Sequence, residues 1–200
     1  MKKYNLKNQI HFVTIDTVKQ TRLFNNDSLC RIIVDNLKFY RRKFDFKLLG
    51  FVIMPNHIHL LILLSEKHND ISKIMQFFKG YSARKIIDFL KEKDSKKLSL
   101  FRVQPEPLLG LSKGRSRGSD LPIRKVKLLK KERKIPEFQV WQPDFYDFNI
   151  YSEEKLEQKL GYIHFNPVKA GLCQTPETYK WSSCRYYEFK DDSLIKIDFI

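Results

Sequence analysis

The sequence predicts an α+β sandwich of the ferredoxin-like or RRM-like type, with a central antiparallel sheet and helices on its faces. Two observations support this fold class. The predicted elements run strand, helix, strand, strand, helix, which is the order that opens such folds. The 200 residues, 42% of them hydrophobic, are enough for one substantial core. We therefore expect a single domain over residues 1–200.

The first strand and the first helix follow from side-chain periodicity. Residues 10–18 (IHFVTIDTV) are β-branched and aromatic with apolar alternation, which indicates a strand. Apolar residues then recur every three or four positions across residues 27–43, which predicts an amphipathic helix. Asp27 or Ser28 is placed to cap its N-terminus.

The middle of the chain predicts a hairpin followed by a second helix. Two apolar runs, residues 46–54 and 57–64, are separated by the turn-forming pair Pro55 and Asn56. Residues 70–92 then return to a helical period, with basic residues interspersed. The hairpin should lie at the centre of the sheet.

Beyond this helix the periodicity breaks, which predicts a basic insertion at about residues 94–135. Residues 101–135 carry eleven Lys or Arg against three acids. The last strand is predicted within residues 138–148 (FQVWQPDFYDF). A final helix should start after an N-cap at Ser152 and run to the junction of Asn166 and Pro167.

A formal net charge of +15 indicates a polyanionic partner. Nucleic acid is favoured over membrane because no basic amphipathic helix with a clean apolar face stands out, and the longest apolar run, residues 60–64, is too short to span a bilayer. A merely solvated lysine-rich surface remains the alternative. The N-terminus lacks the apolar stretch of a signal peptide, and three cysteines without a C-x-x-C pair indicate no disulfide framework, so a reducing cytoplasm is expected.

His57 and His59 are candidate metal ligands. On a strand, positions i and i+2 share a face about 6.7 Å apart, so both imidazoles can reach one ion while Ile58 faces the other way. Two histidines beside a turn can equally be surface or hydrogen-bonded residues. Leu61 stands where an H-x-H-x-D zinc hydrolase would carry its acid.

Tyr162 and Asn166 lie four residues apart on the final helix, so they share one face. That face offers a nucleophile and a possible oxygen ligand. A phenol with a pKa near 10 is a poor nucleophile unless the phosphate is polarised, which a divalent ion on His57, His59 and Asn166 would achieve. The alternative is that Tyr162 packs in the core and Asn166 ends the helix before Pro167.

The segment VIMPNHIHLLI, followed by YIHFNPVKAGL and YKWSSCRYY, resembles the HUH single-tyrosine transposases, above all their REP-associated (RAYT) branch. The segments WQPDFYD and WSS are also typical of that family, and the likeness covers residues 8–92 and 138–188. It implies that His57, His59 and Asn166 bind Mg²⁺ or Mn²⁺ and that Tyr162 attacks DNA. His164 has no matching role and is expected to be structural or solvent-facing.

The implied function is a metal-dependent DNA strand transferase acting on single-stranded or hairpin DNA through a 5′-phosphotyrosine. No phosphate-binding loop is present, in keeping with a reaction that conserves the phosphodiester energy. One alternative is a non-catalytic nucleic-acid binding module with an RRM-like fold, although the RRM signature is absent. A weaker one is a metal nuclease that uses water. A monomer and a homodimer both remain open.

Overall fold

The computed structural model describes residues 9–68, 70–103 and 136–199, and its centre is a four-stranded antiparallel sheet. The strands are β1 (Ile10–Asp16), β2 (Lys47–Ile53), β3 (His57–Leu63) and β4 (Tyr146–Ile150). The helices are α1 (Asp27–Phe44), α2 (Ile71–Lys93), α3 (Ser95–Ser99), α4 (Glu153–Lys169) and α5 (Cys184–Phe189). The strand order β2-β3-β1-β4, with helices on both faces, confirms the predicted α+β sandwich. Because β2 is an edge strand in this order, the expectation that the whole hairpin lies at the centre of the sheet is wrong.

Alternation along β3 divides the sheet into two faces. Ile58, Leu60 and Ile62 point into the larger hydrophobic cluster, which includes the buried sides of α1 and α2. Leu61 belongs to a smaller cluster on the opposite face, together with Ile163 of α4. Because side chains alternate across a strand, His57 and His59 share this second face with Leu61.

The first helix is capped one residue earlier than its sequence suggests. The side chain of Asn26 accepts hydrogen bonds from the backbone amides of Ser28 and Leu29. Asp27 instead accepts from Lys180 and from the indole of Trp181, which draws its carboxylate away from the helix end. The expectation that Asp27 or Ser28 forms the cap is therefore wrong.

The first residues of the predicted insertion pack against the core. Leu98 of α3 and Phe101 are buried. Backbone hydrogen bonds then join the two ends of the segment, from Val103 N to Glu137 O at 2.9 Å and from Gln139 N to Phe101 O at 2.8 Å. The rest of the predicted insertion, residues 104–135, lies outside the described residues.

The last strand begins later than expected, because only its first three residues fall within residues 138–148. The preceding part of that segment anchors α2 instead of forming a strand. The Trp141 indole donates to Ser82 Oγ at 3.0 Å, and its ring stacks on Phe24 with centroids 5.6 Å apart. The buried side chain of Trp141 therefore holds the segment that leads into β4 against α2.

The N-cap of α4 is Ser152, as predicted, and its side chain accepts from the backbone amide of Lys155. The helix continues through Pro167 to Lys169, so the predicted end at the Asn166–Pro167 junction is wrong. Pro167 has no amide proton and so cannot bond to the carbonyl of Ile163, but only two helical residues follow it, which confines the disruption to the helix end. Among the described residues, no helix is long and apolar enough to cross a membrane.

Candidate active site

The two histidines lie at the start of β3, on the face that carries α4. In the sheet register His57 is opposite Asp16 and His59 is opposite Thr14 of β1. The imidazole centroids are 4.6 Å apart. The spacing of i and i+2 therefore places both rings side by side, as the sequence predicts.

Each imidazole is held through its Nδ1 atom. His57 Nδ1 lies 2.9 Å from Asn56 Oδ1, an oxygen that can only accept, so this nitrogen carries the proton. His59 Nδ1 lies 2.8 Å from Thr14 Oγ1. Such oxygen partners orient imidazoles that bind metals through their other nitrogen. The Nε2 atoms are thus the available ligand atoms.

Burial keeps both rings neutral. It lowers the pKa of His59 to about 3, with further lowering from the charges of His57 and Lys159. Burial also lowers the pKa of His57, against an opposing effect of the Asp16 carboxylate. Only neutral imidazole can ligate a metal ion, so both side chains have the right protonation state at neutral pH.

Helix α4 brings the other two predicted residues to the histidines. Asn166 Nδ2 lies 2.8 Å from His59 Nε2, where the amide donates to the ring nitrogen. The Tyr162 ring is 5.2 Å from that of His59, centroid to centroid, and its side chain is 41% exposed. The structure therefore joins all four residues in one cleft and keeps the tyrosine accessible, so the core-packed alternative for Tyr162 does not hold.

The donor set suits a divalent ion only if Asn166 takes part. In the described part of the chain, no group of three or more His, Cys, Asp or Glu side chains could hold a metal. Two imidazole rings and the amide of Asn166 instead come together at His59, where the amide now presents its nitrogen and would turn its oxygen towards an ion. Imidazole nitrogens suit transition-metal ions, and an amide oxygen with added water suits Mg²⁺ or Mn²⁺, so this mixed set does not by itself select one ion.

One residue of the cleft is missing from the predicted set. Lys159 of α4 places its Nζ 4.5 Å from the centroid of Phe12 and 5.8 Å from that of Tyr162. Phe12 in turn stacks on His59 with centroids 5.3 Å apart. The available signal was the spacing of three residues between Lys159 and Tyr162, which places both on one helix face.

His164 lies on the buried side of α4 and is structural. Its Nε2 is 3.0 Å from Ser183 Oγ, and that hydroxyl also accepts from the backbone amide of Phe51 at 3.0 Å. Burial lowers the pKa of His164 to about 4. The WSS segment at residues 181–183 therefore joins the edge of β2 to α4, further supported by the bond from Ile53 N to Trp181 O at 2.9 Å.

A glycine allows α4 to approach the sheet closely. A Cβ atom added to Gly50 of β2 would lie 2.9 Å from Leu160 Cδ1, inside normal contact distance. Leu160 precedes Tyr162 by two residues on the same helix. The absence of a side chain at position 50 therefore helps set how near the tyrosine lies to the histidines.

A histidine outside the cleft forms a buried pair of its own. His11 of β1 is fully buried, and its Nδ1 lies 2.9 Å from the Asp147 carboxylate of β4. Both residues lie on the face of the sheet opposite His59, because their positions alternate with those of Phe12 and Phe148. The pair links two strands and takes no part in the cleft.

Fold and cleft together define an α+β protein in which a histidine pair on a central strand faces a tyrosine carried by a helix. Residues 4–102 match the family described as "Transposase IS200 like". The matched region contains His57 and His59 but ends before Tyr162 and Asn166. The chain is therefore similar to this transposase family over about half of its length.

Two relatives with related names are also similar to this chain. A protein of Haemophilus influenzae named as a REP-associated tyrosine transposase is 26% identical over 140 residues, which is 70% of this chain and 60% of that protein. A solved structure of a REP-associated tyrosine transposase bound to a REP hairpin aligns with a TM-score of 0.61 at 16% identity, over 100% of this chain and 90% of the other. The second likeness shows a shared fold.

Proposed function

We propose that this protein is a metal-dependent DNA strand transferase that acts on single-stranded or hairpin DNA through a 5′-phosphotyrosine at Tyr162. The observation that carries the proposal is the bond from Asn166 to His59, one helical turn from Tyr162. It brings the candidate nucleophile, at 41% exposure, to the same cleft as three candidate metal ligands. The similarity of residues 4–102 to the transposase family supports the same proposal.

His57 Nε2, His59 Nε2 and the side-chain oxygen of Asn166 would hold the ion, either Mg²⁺ or Mn²⁺. When bound, the ion would supply Lewis-acid polarisation of the phosphate. The contribution of the chain is to fix the ligands in advance. Thr14 and Asn56 hold the rings through Nδ1, and burial keeps both rings neutral.

Tyr162 performs the covalent step. Its phenolic oxygen forms a bond to phosphorus and loses its proton to solvent, while the bond from phosphorus to the 3′ oxygen breaks and that oxygen takes up a proton. The DNA is then joined to the protein through a 5′-phosphotyrosine, and a second 3′-hydroxyl can reverse the step. Since the phosphodiester energy is conserved, no nucleotide cofactor is needed.

The substrate class follows from charge and from the relatives. A net charge of +15 favours a polyanion. A structural relative is bound to a REP hairpin, so we propose hairpin DNA with a short flanking single strand as the substrate. The RRM-like alternative is less favoured because α4 covers part of the sheet face on which an RRM stacks its bases.

The test is a covalent-adduct assay. Wild-type protein, incubated with labelled hairpin DNA and Mg²⁺ or Mn²⁺, should give an adduct that withstands denaturing gel electrophoresis. Tyr162→Phe should give none, and His59→Ala or a chelator should reduce it below detection. Tyr151→Phe is the matched control, because Tyr151 is exposed and precedes α4.

Other outcomes identify the alternatives. Strand cleavage that persists in Tyr162→Phe would indicate a nuclease that uses water. DNA affinity that is unchanged by metal, without any cleavage, would indicate a binding module. An undiminished adduct in Tyr162→Phe would move the nucleophile to another residue.

A further inference from the structure

Lys159 occupies an aromatic recess beside Tyr162. Its Nζ lies 4.5 Å from the centroid of Phe12, 5.1 Å from that of Phe148 and 5.8 Å from that of Tyr162. The side chain is partly buried. Aromatic faces attract an ammonium group and fix its position, so the cation is held at the rim of the cleft.

This cation has no anionic partner in the part of the chain that the structure describes. The ion pairs formed there use other cations, and no hydrogen bond involves the Lys159 ammonium. Its helical neighbour Lys155, by contrast, donates to Gln158 at 2.9 Å. The aromatic faces hold this charge without neutralising it, so the ammonium remains able to bind an anion.

The position of Lys159 along α4 indicates which ligand its ammonium group would bind. Lys159 precedes Tyr162 by three residues and Asn166 follows it by four, so all three share one face, with the tyrosine in the middle. A phosphate attacked by Tyr162 would therefore lie between the metal ligands on one side and the ammonium on the other.

We propose that Lys159 binds the scissile phosphate, with its ammonium donating to a non-bridging oxygen of the phosphodiester that Tyr162 attacks. This inference rests on the proposed function and deepens it. Formation of the bond from Tyr162 to phosphorus adds negative charge to the phosphate oxygens before the 3′ oxygen departs. A fixed cation at that place stabilises the added charge.

A purely structural role is the alternative, in which the aliphatic stem of Lys159 packs on Phe12 and Phe148. Two substitutions separate the roles. Lys159→Met keeps the stem and removes the charge, whereas Lys159→Arg keeps the charge. Lys155→Met is the matched control, because it removes the same charge from the same helix one turn farther from Tyr162.

The first measurement is the initial rate of adduct formation with hairpin DNA and Mg²⁺. We expect Lys159→Met to lower the rate at least tenfold at unchanged thermal stability, with Lys159→Arg and Lys155→Met within about threefold of wild type. A Lys159→Met rate equal to wild type would overturn the inference. A wild-type protein that forms no adduct would instead contradict the proposed function.

The second measurement locates the contact without catalysis. In the Tyr162→Phe background, affinities are measured without metal for oligonucleotides that each carry one neutral methylphosphonate at a different linkage. Lys159→Met should weaken binding of the unmodified strand. It should not weaken binding of the one oligonucleotide whose neutral methylphosphonate replaces the linkage that the wild type cuts. Equal weakening at every linkage would refute a specific contact, and this result is readable even if no adduct forms.

Discussion

The two faces of the sheet differ in how completely they are covered. One face is buried beneath α1 and α2, and its residues on β3, among them Leu60, are inaccessible to solvent. The other face is covered by α4 together with Leu172 and Tyr179, which leaves Tyr162 partly exposed beside His59. A single strand therefore supplies core packing on one side and candidate chemistry on the other. Because side chains alternate across the strand, one substitution can change the core packing or the candidate site without changing the other.

The largest expected effect compares two neighbours on β3. Leu60→Ala should lower the free energy of unfolding by about 3 kcal/mol, because it removes a fully buried side chain and leaves a cavity. His59→Ala should cost less stability and abolish the adduct. Urea denaturation at pH 7 measures the first quantity, and the adduct assay measures the second.

This difference between the faces would be contradicted if His59→Ala lowered the free energy of unfolding more than Leu60→Ala does. The second face would then be at least as important for stability as the first. Ile62→Val is a milder control on the α1 and α2 face. It should cost about 1 kcal/mol and leave adduct formation unchanged.

The next largest effect depends on pH and concerns the buried side of α4. Burial lowers the pKa of His164 from 6.5 to about 4, so folding favours the neutral ring. The resulting stability is fully present above pH 6.5 and is lost as pH falls towards 4. When the pH is lowered from 7 to 4.5, the free energy of unfolding should fall by about 2 kcal/mol less in His164→Asn than in the wild type.

Urea denaturation of metal-free protein at both pH values checks this difference. Asparagine can still bond to Ser183 and does not titrate, so it separates the charge effect from the loss of the contact. Identical pH dependence in the two proteins would show that His164 is protonated in the folded state at no cost.

The smallest effect concerns the approach of α4 to the sheet. Gly50→Ala should cost about 1 kcal/mol, because its new Cβ would meet Leu160 Cδ1 at 2.9 Å. It should also slow adduct formation, since the helix that bears Tyr162 must shift. The double variant Gly50→Ala with Leu160→Val should recover much of the lost stability and much of the lost rate. Denaturation and the adduct assay measure the two quantities. No change in either quantity would show that Leu160 simply adopts another rotamer.

The local elements were predictable because their signals are local. Periodicity located α1, α2 and the hairpin, and the spacings of two and four residues placed each pair of site residues on one face. The cap of α1 was not predictable, because Asp27 binds Lys180 and Trp181, which are about 150 residues away along the chain. The partners Thr14 and Asn56 likewise depend on strand register and turn geometry, which one sequence does not contain.

The start of β4 was mispredicted for the same reason, a contact between residues that are distant in sequence. An apolar, aromatic segment indicates a strand, yet Trp141 is buried because its indole reaches Ser82 of α2. Lys159 was missed for a different reason. Its spacing of three residues from Tyr162 is a weak signal for one lysine among 38 basic residues, and only the contacts with Phe12 and Phe148 show that it is held beside Tyr162.

The paired backbone at Phe101, Val103, Glu137 and Gln139 has an evolutionary consequence. The chain leaves the core and returns to it through adjacent residues, and an ion pair between Arg102 and Glu137 joins the same two ends at 3.0 Å. Closing a longer loop costs only about 0.6 kcal/mol for each doubling of its length. Segments of very different size and charge should therefore be tolerated between these residues, so the sequence can diversify here while the core and the candidate site stay constant.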